Sequence, residues 1–348
     1  MSAASPSIAG RVPDLSAETA GPVLTVPGAP PAFHVMAKPT GAVCNLDCEY
    51  CFFLSKEMLH PGSRFRMAAD LQETYLRQLL EAHARAPEVV VAWQGGEPTM
   101  MGLDFFRRAI DLERQYARPG QRILNTIQTN GTLLDDEWGE FLKAHGFLAG
   151  ISIDGPAEMH DAYRVDKGGK PTFGRVMAGL EVLKRHQVDW NVLTTIHAVN
   201  GDHGREVYRF LRDELGAGFI LIITINERAT EQSLPAADAG WGGGVKGRPL
   251  YTQEGNLVTH RSVGPAQYGR FLIEVFEEWV RRDIGAVYVQ MFDTALANWH
   301  GEGGGMCVHA RPAAASSPSS TPATCTPATT TSNPATCSVT SKTPTCWS

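Results

Sequence analysis

The chain has 348 residues, of which 43% are hydrophobic and 20% charged, and this composition is ordinary for a globular protein. Its formal net charge of -6 gives no electrostatic reason to expect nucleic acid or an anionic membrane as a partner. No apolar run approaches the roughly 20 residues of a membrane-spanning helix, and the first residues lack the pattern of a signal peptide. We therefore expect a cytoplasmic protein with a disordered extension over residues 1–32.

Strand-like apolar runs alternate with amphipathic helical patterns from about residue 33 to residue 225. This alternation predicts parallel βα units, which form either a doubly wound sheet or a partly closed barrel. Both architectures place functional residues at the carboxyl ends of the strands. One helix is expected to begin at Asp70, with Glu73 as the reciprocal partner of this N-cap. The six predicted strands are Phe33–Lys38, Glu88–Trp93, Ile123–Gln128, Phe147–Ile153, Trp190–His197 and Phe219–Ile225.

Three cysteines follow the first predicted strand in the stretch Cys-Asn-Leu-Asp-Cys-Glu-Tyr-Cys. The spacing of Cys44, Cys48 and Cys51 fits three corners of a cubane iron–sulfur cluster and leaves the fourth iron without a protein ligand. Tyr50 would supply an aromatic wall beside such a cluster. The loop is therefore a candidate site for chemistry at an open iron.

Two other uses of the cysteines are less favoured. A structural zinc site needs a fourth close ligand, but the nearest downstream histidine, His60, lies nine residues after Cys51. A disulfide framework is less favoured still, because clustered cysteines in an ordinary globular chain are more typical of metal binding or catalysis.

Polar side chains recur where the later strands are predicted to end. The glycines Gly95 and Gly96 would let the backbone approach a ligand closely, and Arg164 could hold a ligand carboxylate by a bidentate contact. Taken singly, several of these residues are equally typical of turns and helix caps, but their recurrence at one edge of the sheet favours a binding site. The polar residues at these ends are Gln94, Glu97, Gln128, Asn130, Ser152 and Asp154.

The pattern changes after the sixth strand. Residues 231–264 are Gly-rich and polar without a sustained period, and we expect a long functional or mobile loop there. Regular structure is expected to return as an amphipathic helix over residues 267–282, a short strand over 287–291 and a helix over 292–299.

The tail from residue 311 to residue 348 has a different composition, since 30 of its 38 residues are Ser, Thr, Pro or Ala and none is acidic. One interpretation is a disordered low-complexity tail. The other is a shifted reading frame, because a GC-rich gene translated one base out of frame yields mainly these four residues. On either interpretation, Cys325, Cys337 and Cys346 are best taken as unrelated free thiols.

The chain resembles the radical S-adenosylmethionine (radical SAM) enzymes in its cysteine loop, with an aromatic residue before the last cysteine, and in its Gly95-Gly96-Glu97-Pro98 element. Within that superfamily, residues 39 to about 309 look like an anaerobic sulfatase-maturating enzyme. The shared motifs include Gln94-Gly-Gly-Glu-Pro-Thr, Gln128-Thr-Asn-Gly-Thr, Ile151-Ser-Ile-Asp-Gly-Pro and His160-Asp-Ala-Tyr-Arg164.

The resemblance implies a partial (β/α)6 barrel whose [4Fe–4S] cluster binds S-adenosylmethionine through the open iron. Electron transfer would release a 5′-deoxyadenosyl radical, and the substrate would be a sulfatase polypeptide whose active-site Cys or Ser becomes formylglycine. The electron donor would be a flavodoxin or ferredoxin. The residues implied to contact S-adenosylmethionine or lie beside it are Tyr50, Gln94, Gly95, Gly96, Glu97, Ser152 and Arg164.

The resemblance also implies auxiliary [4Fe–4S] clusters in a C-terminal region. Cys307 matches the first of their cysteines, whereas Thr329 falls at the presumed position of the family's catalytic aspartate. We therefore expect this chain to lack the auxiliary clusters and to have impaired maturation activity. Another radical SAM peptide-modifying enzyme and a non-catalytic iron–sulfur protein are the alternatives.

We expect the chain to have four parts. We expect an N-terminal extension over residues 1–32 and a radical SAM barrel over residues 33–230. Residues 231–310 would form an insertion, a connecting helix and the start of the auxiliary-cluster domain, and residues 311–348 would form the low-complexity tail.

Overall fold

The structure is a computed structural model that describes residues 33–60, 63–242 and 250–301. Its centre is a seven-stranded sheet in the order β1-β2-β3-β4-β5-β6-β9, and every neighbouring pair is parallel. The predicted α/β class with repeated βα units is confirmed. Residues 1–32, Cys307, Thr329 and the tail over residues 311–348 lie outside the described residues.

All six predicted strands are present, with ends that differ from the prediction by a few residues at most. The short strand predicted over residues 287–291 is also present, and it joins the main sheet beside β6. The strands of the main sheet are β1 Met36–Ala37, β2 Glu88–Trp93, β3 Arg122–Thr129, β4 Leu148–Ser152, β5 Asp189–Ile196, β6 Phe219–Thr224 and β9 Tyr288–Val289; an antiparallel pair comprises β7 Arg228–Ala229 and β8 Leu257–Val258.

The helices lie between the strands, as the βα pattern predicts. None of those described is long and apolar enough to cross a membrane. Two short 3-10 turns follow the cysteine loop and β2, at Leu54–Leu59 and Pro98–Met101, and a π-helical turn at Phe210–Glu214 extends α6. The α-helices are α1 Ala69–Ala82, α2 Leu103–Tyr116, α3 Asp136–Ala144, α4 Ala157–Asp161, α5 Phe173–Arg185, α6 Gly204–Arg209, α7 Leu234–Asp238, α8 Pro265–Arg282 and α9 Gln290–His300.

The predicted N-cap of α1 at Asp70 was wrong. The helix begins at Ala69, and the Asp70 carboxylate lies inside its first turn, where it accepts from the backbone amide of Leu71 at 2.9 Å. Glu73 does not reach back to the helix start, because it forms an ion pair with Arg108 of α2 at 2.9 Å. The contact between two neighbouring helices therefore outweighs the local capping preference.

The segment predicted as a long loop or insertion over residues 231–264 contains regular structure in its described residues. Helix α7 and strand β8 lie within it, and β8 pairs with β7 just before it. Buried side chains such as Trp241 and Tyr251 form a small apolar core, which the Gly-rich composition of the segment did not indicate.

The two faces of the sheet have different roles because side chains alternate along a strand. On one face, Val89, Val91 and Trp93 of β2 join a continuous core with the helices. The residue that follows Trp93, Gln94, then falls on the opposite face. The carboxyl end of that second face carries polar residues, and it forms the candidate site described below.

A buried carboxyl group lies on the helical side of the sheet. Glu113 of α2 is 4% exposed and accepts from the side-chain amide of Asn125 at 2.8 Å, whereas its other oxygen has no hydrogen-bond partner in the described part of the chain. Burial raises the pKa of Glu113 to about 7. The folded state therefore favours the protonated acid more than the unfolded chain does.

We predict that Glu113→Gln stabilises the protein at pH 8. Between its ordinary pKa of 4.5 and about 7, the folded protein holds this proton more tightly than the unfolded chain, so wild-type stability falls as pH rises through this window. The variant should lack this loss, so its stability relative to wild type should be roughly 3 kcal/mol greater at pH 8 than at pH 5. Chemical denaturation from pH 5 to pH 8 measures this, with exposed Glu140→Gln as the control. An equal effect of the Glu113 substitution at both pH values would contradict the prediction.

Candidate active site at the carboxyl ends of the strands

The cysteine loop is held by backbone hydrogen bonds from two sides. On one side, the amides of Asp47 and Glu49 donate to the carbonyls of Val165 and Tyr163, each at 2.9 Å. On the other side, the amide of Glu97 donates to the carbonyl of Val43 at 3.0 Å. The loop is therefore fixed between the segment after β4 and the glycine turn after β2.

Gly96 is required where this turn meets the cysteine loop. A Cβ atom at this position would lie 2.0 Å from the carbonyl oxygen of Val43, which is backbone and cannot move aside. Gly95 has a φ of +127°, a conformation that L-residues rarely adopt. The two predicted glycines therefore allow the β2 turn to lie directly against the loop.

The three cysteines are free thiols, with Cys48 buried and Cys44 and Cys51 partly buried. Burial raises the pKa of all three thiols, that of Cys44 to about 12. Metal ligation requires thiolates, and this buried setting disfavours them. The positive charge of a bound metal would have to stabilise the thiolates.

The chemistry of the donor set fits a cluster better than a single metal ion. Within the described ranges, no three Cys, His, Asp or Glu side chains are grouped so that they could bind one ion. In a cubane cluster each thiolate binds a different iron, so the cysteines need not converge.

Asn45 and Asn130 both contact Cys44. The sequence alone left open whether Asn130 belongs to a turn or to the site. The side-chain amide of Asn130 donates to Asn45 at 2.9 Å and lies 3.6 Å from the Cys44 sulfur. The Leu46 amide also donates to this sulfur, at 3.4 Å. Hydrogen bonds to cluster sulfurs tune reduction potential, so Asn130 is suited to more than turn formation.

The predicted ligand-contacting residues come from different strands and fall at one edge of the sheet. Gln94 follows β2 and is partly buried, and Ser152 ends β4. The Ser152 hydroxyl accepts from the side-chain amide of Gln128 at 3.1 Å, which links the ends of β3 and β4. The structure therefore brings together polar groups that lie far apart in sequence.

Glu97 is completely buried, and both its oxygens are used within the protein. They accept from the Thr99 amide at 3.1 Å and hydroxyl at 2.6 Å, from the Thr129 hydroxyl at 2.7 Å and from the Asn130 amide at 2.8 Å. Burial raises the pKa of Glu97, opposed by these donors. In this conformation the carboxylate joins the β2 turn to the end of β3.

Arg164 is also engaged within the protein. Its guanidinium forms a bidentate ion pair with Asp154, at 2.8 Å and 3.1 Å, and lies over the Tyr50 ring at 5.5 Å. The Tyr50 hydroxyl donates to the same carboxylate at 2.6 Å. Burial alone would raise the pKa of Asp154, but Arg164 outweighs it and lowers that pKa to about 2.

Sequence reasoning missed two residues of this edge. Lys38 directly follows β1, with its Nζ 3.8 Å from the centre of the Phe53 ring, and burial lowers its pKa to about 8. His197 directly follows β5 and is completely buried, and neither of its ring nitrogens has a hydrogen-bond partner among the residues that the structure describes. Their position in the sequence could have identified them as site residues, because each is the first residue after its strand, as Gln94 is.

Known proteins share both the fold and the loop. A family model for the radical SAM superfamily matches residues 39–211, which include the cysteine loop, the β2 turn and the Asp154–Arg164 pair. Residues 39–211 are therefore a radical SAM domain, and the members of this superfamily use a [4Fe–4S] cluster and S-adenosylmethionine.

Its similarity to particular members is more specific. It is 41% identical over 283 residues to the serine-type anaerobic sulfatase-maturating enzyme of Bacteroides thetaiotaomicron, a match covering 80% of this chain and 64% of that protein. The cysteine-type enzyme of Clostridium perfringens is 31% identical over 270 residues, covering 76% of this chain and 66% of that protein. The chain thus spans less than two thirds of the length of these relatives.

A solved structure agrees with the sequence matches. Native anSMEcpe with bound AdoMet superposes with a TM-score of 0.62 at 28% sequence identity, covering 78% of this chain and 68% of that chain. The resemblance drawn from the motifs is confirmed.

We predict that Asp154→Asn destabilises the protein by about 3 kcal/mol, because the substitution leaves the buried Arg164 charge without its partner. Asp136→Asn is the matched control, since its carboxylate contacts Arg185 in an exposed pair worth at most about 1 kcal/mol. Urea denaturation at pH 7 measures both. Equal losses in the two variants would show that the Asp154 pair is no more important than a surface contact.

Proposed function

We propose that this protein is a radical SAM oxidoreductase that acts on a sulfatase polypeptide. The observation that carries the proposal is the buried three-cysteine loop, which is fixed by backbone hydrogen bonds against the polar edge of the sheet. Cys44, Cys48 and Cys51 would hold a [4Fe–4S] cluster and leave one iron open to S-adenosylmethionine. The ligand site would be lined by Gln94, Gly95, Gly96, Ser152 and Arg164.

With these groups bound, the cofactors would supply a one-electron reductive cleavage that generates a carbon radical able to abstract hydrogen. The protein's own residues would bind, orient and shield. Tyr50 would form the wall beside the cluster, since its ring is held by Asp154 on one side and by Arg164 above. Glu97 would act by fixing the β2 turn rather than by contacting the ligand, because its oxygens are already bonded.

The substrate proposal rests on the relatives. Both enzymes described above are sulfatase-maturating, one of the serine type and one of the cysteine type. The reaction would oxidise an active-site Ser or Cys by two electrons at the β-carbon, beginning with removal of a β-hydrogen. Ser would give the formylglycine aldehyde directly, whereas Cys would give a thioaldehyde that water hydrolyses to the aldehyde with release of hydrogen sulfide. A small redox protein such as flavodoxin or ferredoxin would supply the electron, and the cytoplasm is the proposed compartment.

The C-terminal part limits the proposed activity. Cys307 would be the first ligand of an auxiliary cluster, but residues 311–348 do not carry the motifs that the resemblance implies for such a region. We propose that the chain has four parts, over residues 1–32, 33–230, 231–310 and 311–348. The chain would hold one cluster and mature sulfatases poorly.

Two alternatives make different predictions. Another radical SAM peptide-modifying enzyme would cleave S-adenosylmethionine without forming formylglycine in a co-expressed sulfatase peptide. A non-catalytic iron–sulfur protein would form no 5′-deoxyadenosine under any reducing condition.

We predict that Cys48→Ala abolishes 5′-deoxyadenosine formation, because the cluster loses one of its three ligands. The protein would be reconstituted anaerobically with iron and sulfide, supplied with dithionite and S-adenosylmethionine, and assayed by chromatography. Cys346→Ala, in the tail, is the control and should retain the product. Loss in both variants, or in neither, would contradict the assignment of the cysteine loop.

Iron content is a separate prediction. The reconstituted chain should hold about four irons, the complement of one cubane cluster. Iron analysis together with mass spectrometry of a co-expressed sulfatase peptide tests this. About twelve irons with complete formylglycine formation would refute the proposed loss of auxiliary clusters.

A further inference from the structure

The segment after β6 packs against the cysteine loop. We call its described residues, 226–242 and 250–263, the cap. The amide of Trp241 donates to the Glu49 carbonyl at 3.3 Å, and the Lys56 ammonium donates to the Tyr251 carbonyl at 2.5 Å. The cap is therefore attached to the loop both between and after its cysteines.

The contact between cap and loop is apolar at its centre. Leu54 from the loop side and Trp241 and Tyr251 from the cap are all buried in one cluster, in which the two cap rings lie 4.8 Å apart. Cys44 and Cys51 pack against this cluster. Two of the three cysteines therefore border on the aromatic side chains of the cap.

Glycine lets the cap approach closely. A Cβ atom on Gly242 would lie 2.5 Å from a carboxylate oxygen of Asp47, and Gly240, beside the Glu49 carbonyl, has a φ of +91°, a conformation that L-residues rarely adopt. The contact thus reaches the part of the loop that lies between Cys44 and Cys51. The Gly-rich composition of this segment has a physical reason at these positions.

A buried ion pair fixes the orientation of Trp241. Arg261 is completely buried; it donates to Glu227 at 3.0 Å and to the carbonyls of Ala237 and Asp238 at the end of α7, at 2.6 Å and 2.9 Å. The Trp241 indole N–H donates to the same Glu227 carboxylate. Burying charges costs free energy unless each is paired and hydrogen-bonded, and here the pair organises the cap.

We infer that the cap is a shield for the cysteine loop: Trp241 and Tyr251, held by the Glu227–Arg261 pair, keep Cys44 and Cys51 in position and exclude solvent and oxidants from them. The apolar shell around a metal site controls solvent access and local dielectric. The cap supplies an outer wall for the loop beside Cys44 and Cys51, which pack against its buried cluster. This inference goes beyond the proposed reaction and concerns the thiols even without a cluster.

The test measures how fast each cysteine reacts in the full chain without iron. Anaerobic, reduced protein would be treated with iodoacetamide, and the modified peptides would be quantified over time by mass spectrometry. Trp241→Ala should raise the alkylation rates of Cys44 and Cys51 about tenfold, because the cap no longer has to open before the reagent enters. Cys325 serves as an internal reference and should react equally in every variant.

Trp279→Ala is the matched control. It truncates another buried tryptophan, which lies on α8 in the helical core and not in the cap cluster. Thermal denaturation first identifies a temperature at which each variant is folded. Unchanged rates at Cys44 and Cys51 in Trp241→Ala, or equal increases in the two tryptophan variants, would overturn the inference.

Lys56→Met provides a second and milder variant. It removes the hydrogen bond to the Tyr251 carbonyl while leaving Trp241 and the Glu227–Arg261 pair intact. We expect a rise of about threefold at Cys51, consistent with the loss of one hydrogen bond between loop and cap. No rise in this folded variant would contradict the attachment of the loop to the cap. Because these tests use thiol reactivity alone, failure of the proposed enzyme activity would not affect their outcome.

Discussion

The Asp154 carboxylate is the interaction on which the site depends. It accepts from the Tyr50 hydroxyl at 2.6 Å, from two nitrogens of Arg164 and from the Thr195 amide at 2.9 Å. These donors come from the cysteine loop, the segment after β4 and strand β5. A single buried charge thereby joins three parts of the chain, and loss of its partners would leave an unpaired charge in an apolar setting.

The cysteine loop is enclosed by two chemically different surroundings. At the carboxyl ends of the strands it meets polar groups that are paired with one another, including Asn130 and the Asp154 network. At the cap it meets the aromatic cluster of Trp241 and Tyr251. The polar side can orient a charged ligand, whereas the apolar side can exclude water, so the two functions of a radical site are divided between different parts of the chain.

Much of this arrangement could be predicted from the sequence, because the relevant signals are local. The alternation of apolar runs placed all six predicted strands, and the order of the strands placed Cys44, Gln94 and Ser152 at the same edge. What could not be predicted depends on contacts between distant residues. The pairing of Arg164 with Asp154 and the buried position of Trp241 follow from tertiary packing, and the periodicity of either segment gives no sign of them. The predicted helix start at Asp70 was wrong for the same reason, because Glu73 forms an ion pair with Arg108 on another helix.

The long sequence separation of the cap contact also bears on how the protein is made. The Lys56 and Tyr251 partners lie 195 residues apart, so the cysteines leave the ribosome well before the segment that covers them. At ordinary translation rates of about 5–20 residues per second, this interval lasts roughly ten to forty seconds. During that time the thiols lack their outer wall, and insertion of a cluster would have to wait for the cap or take place while the loop is still open.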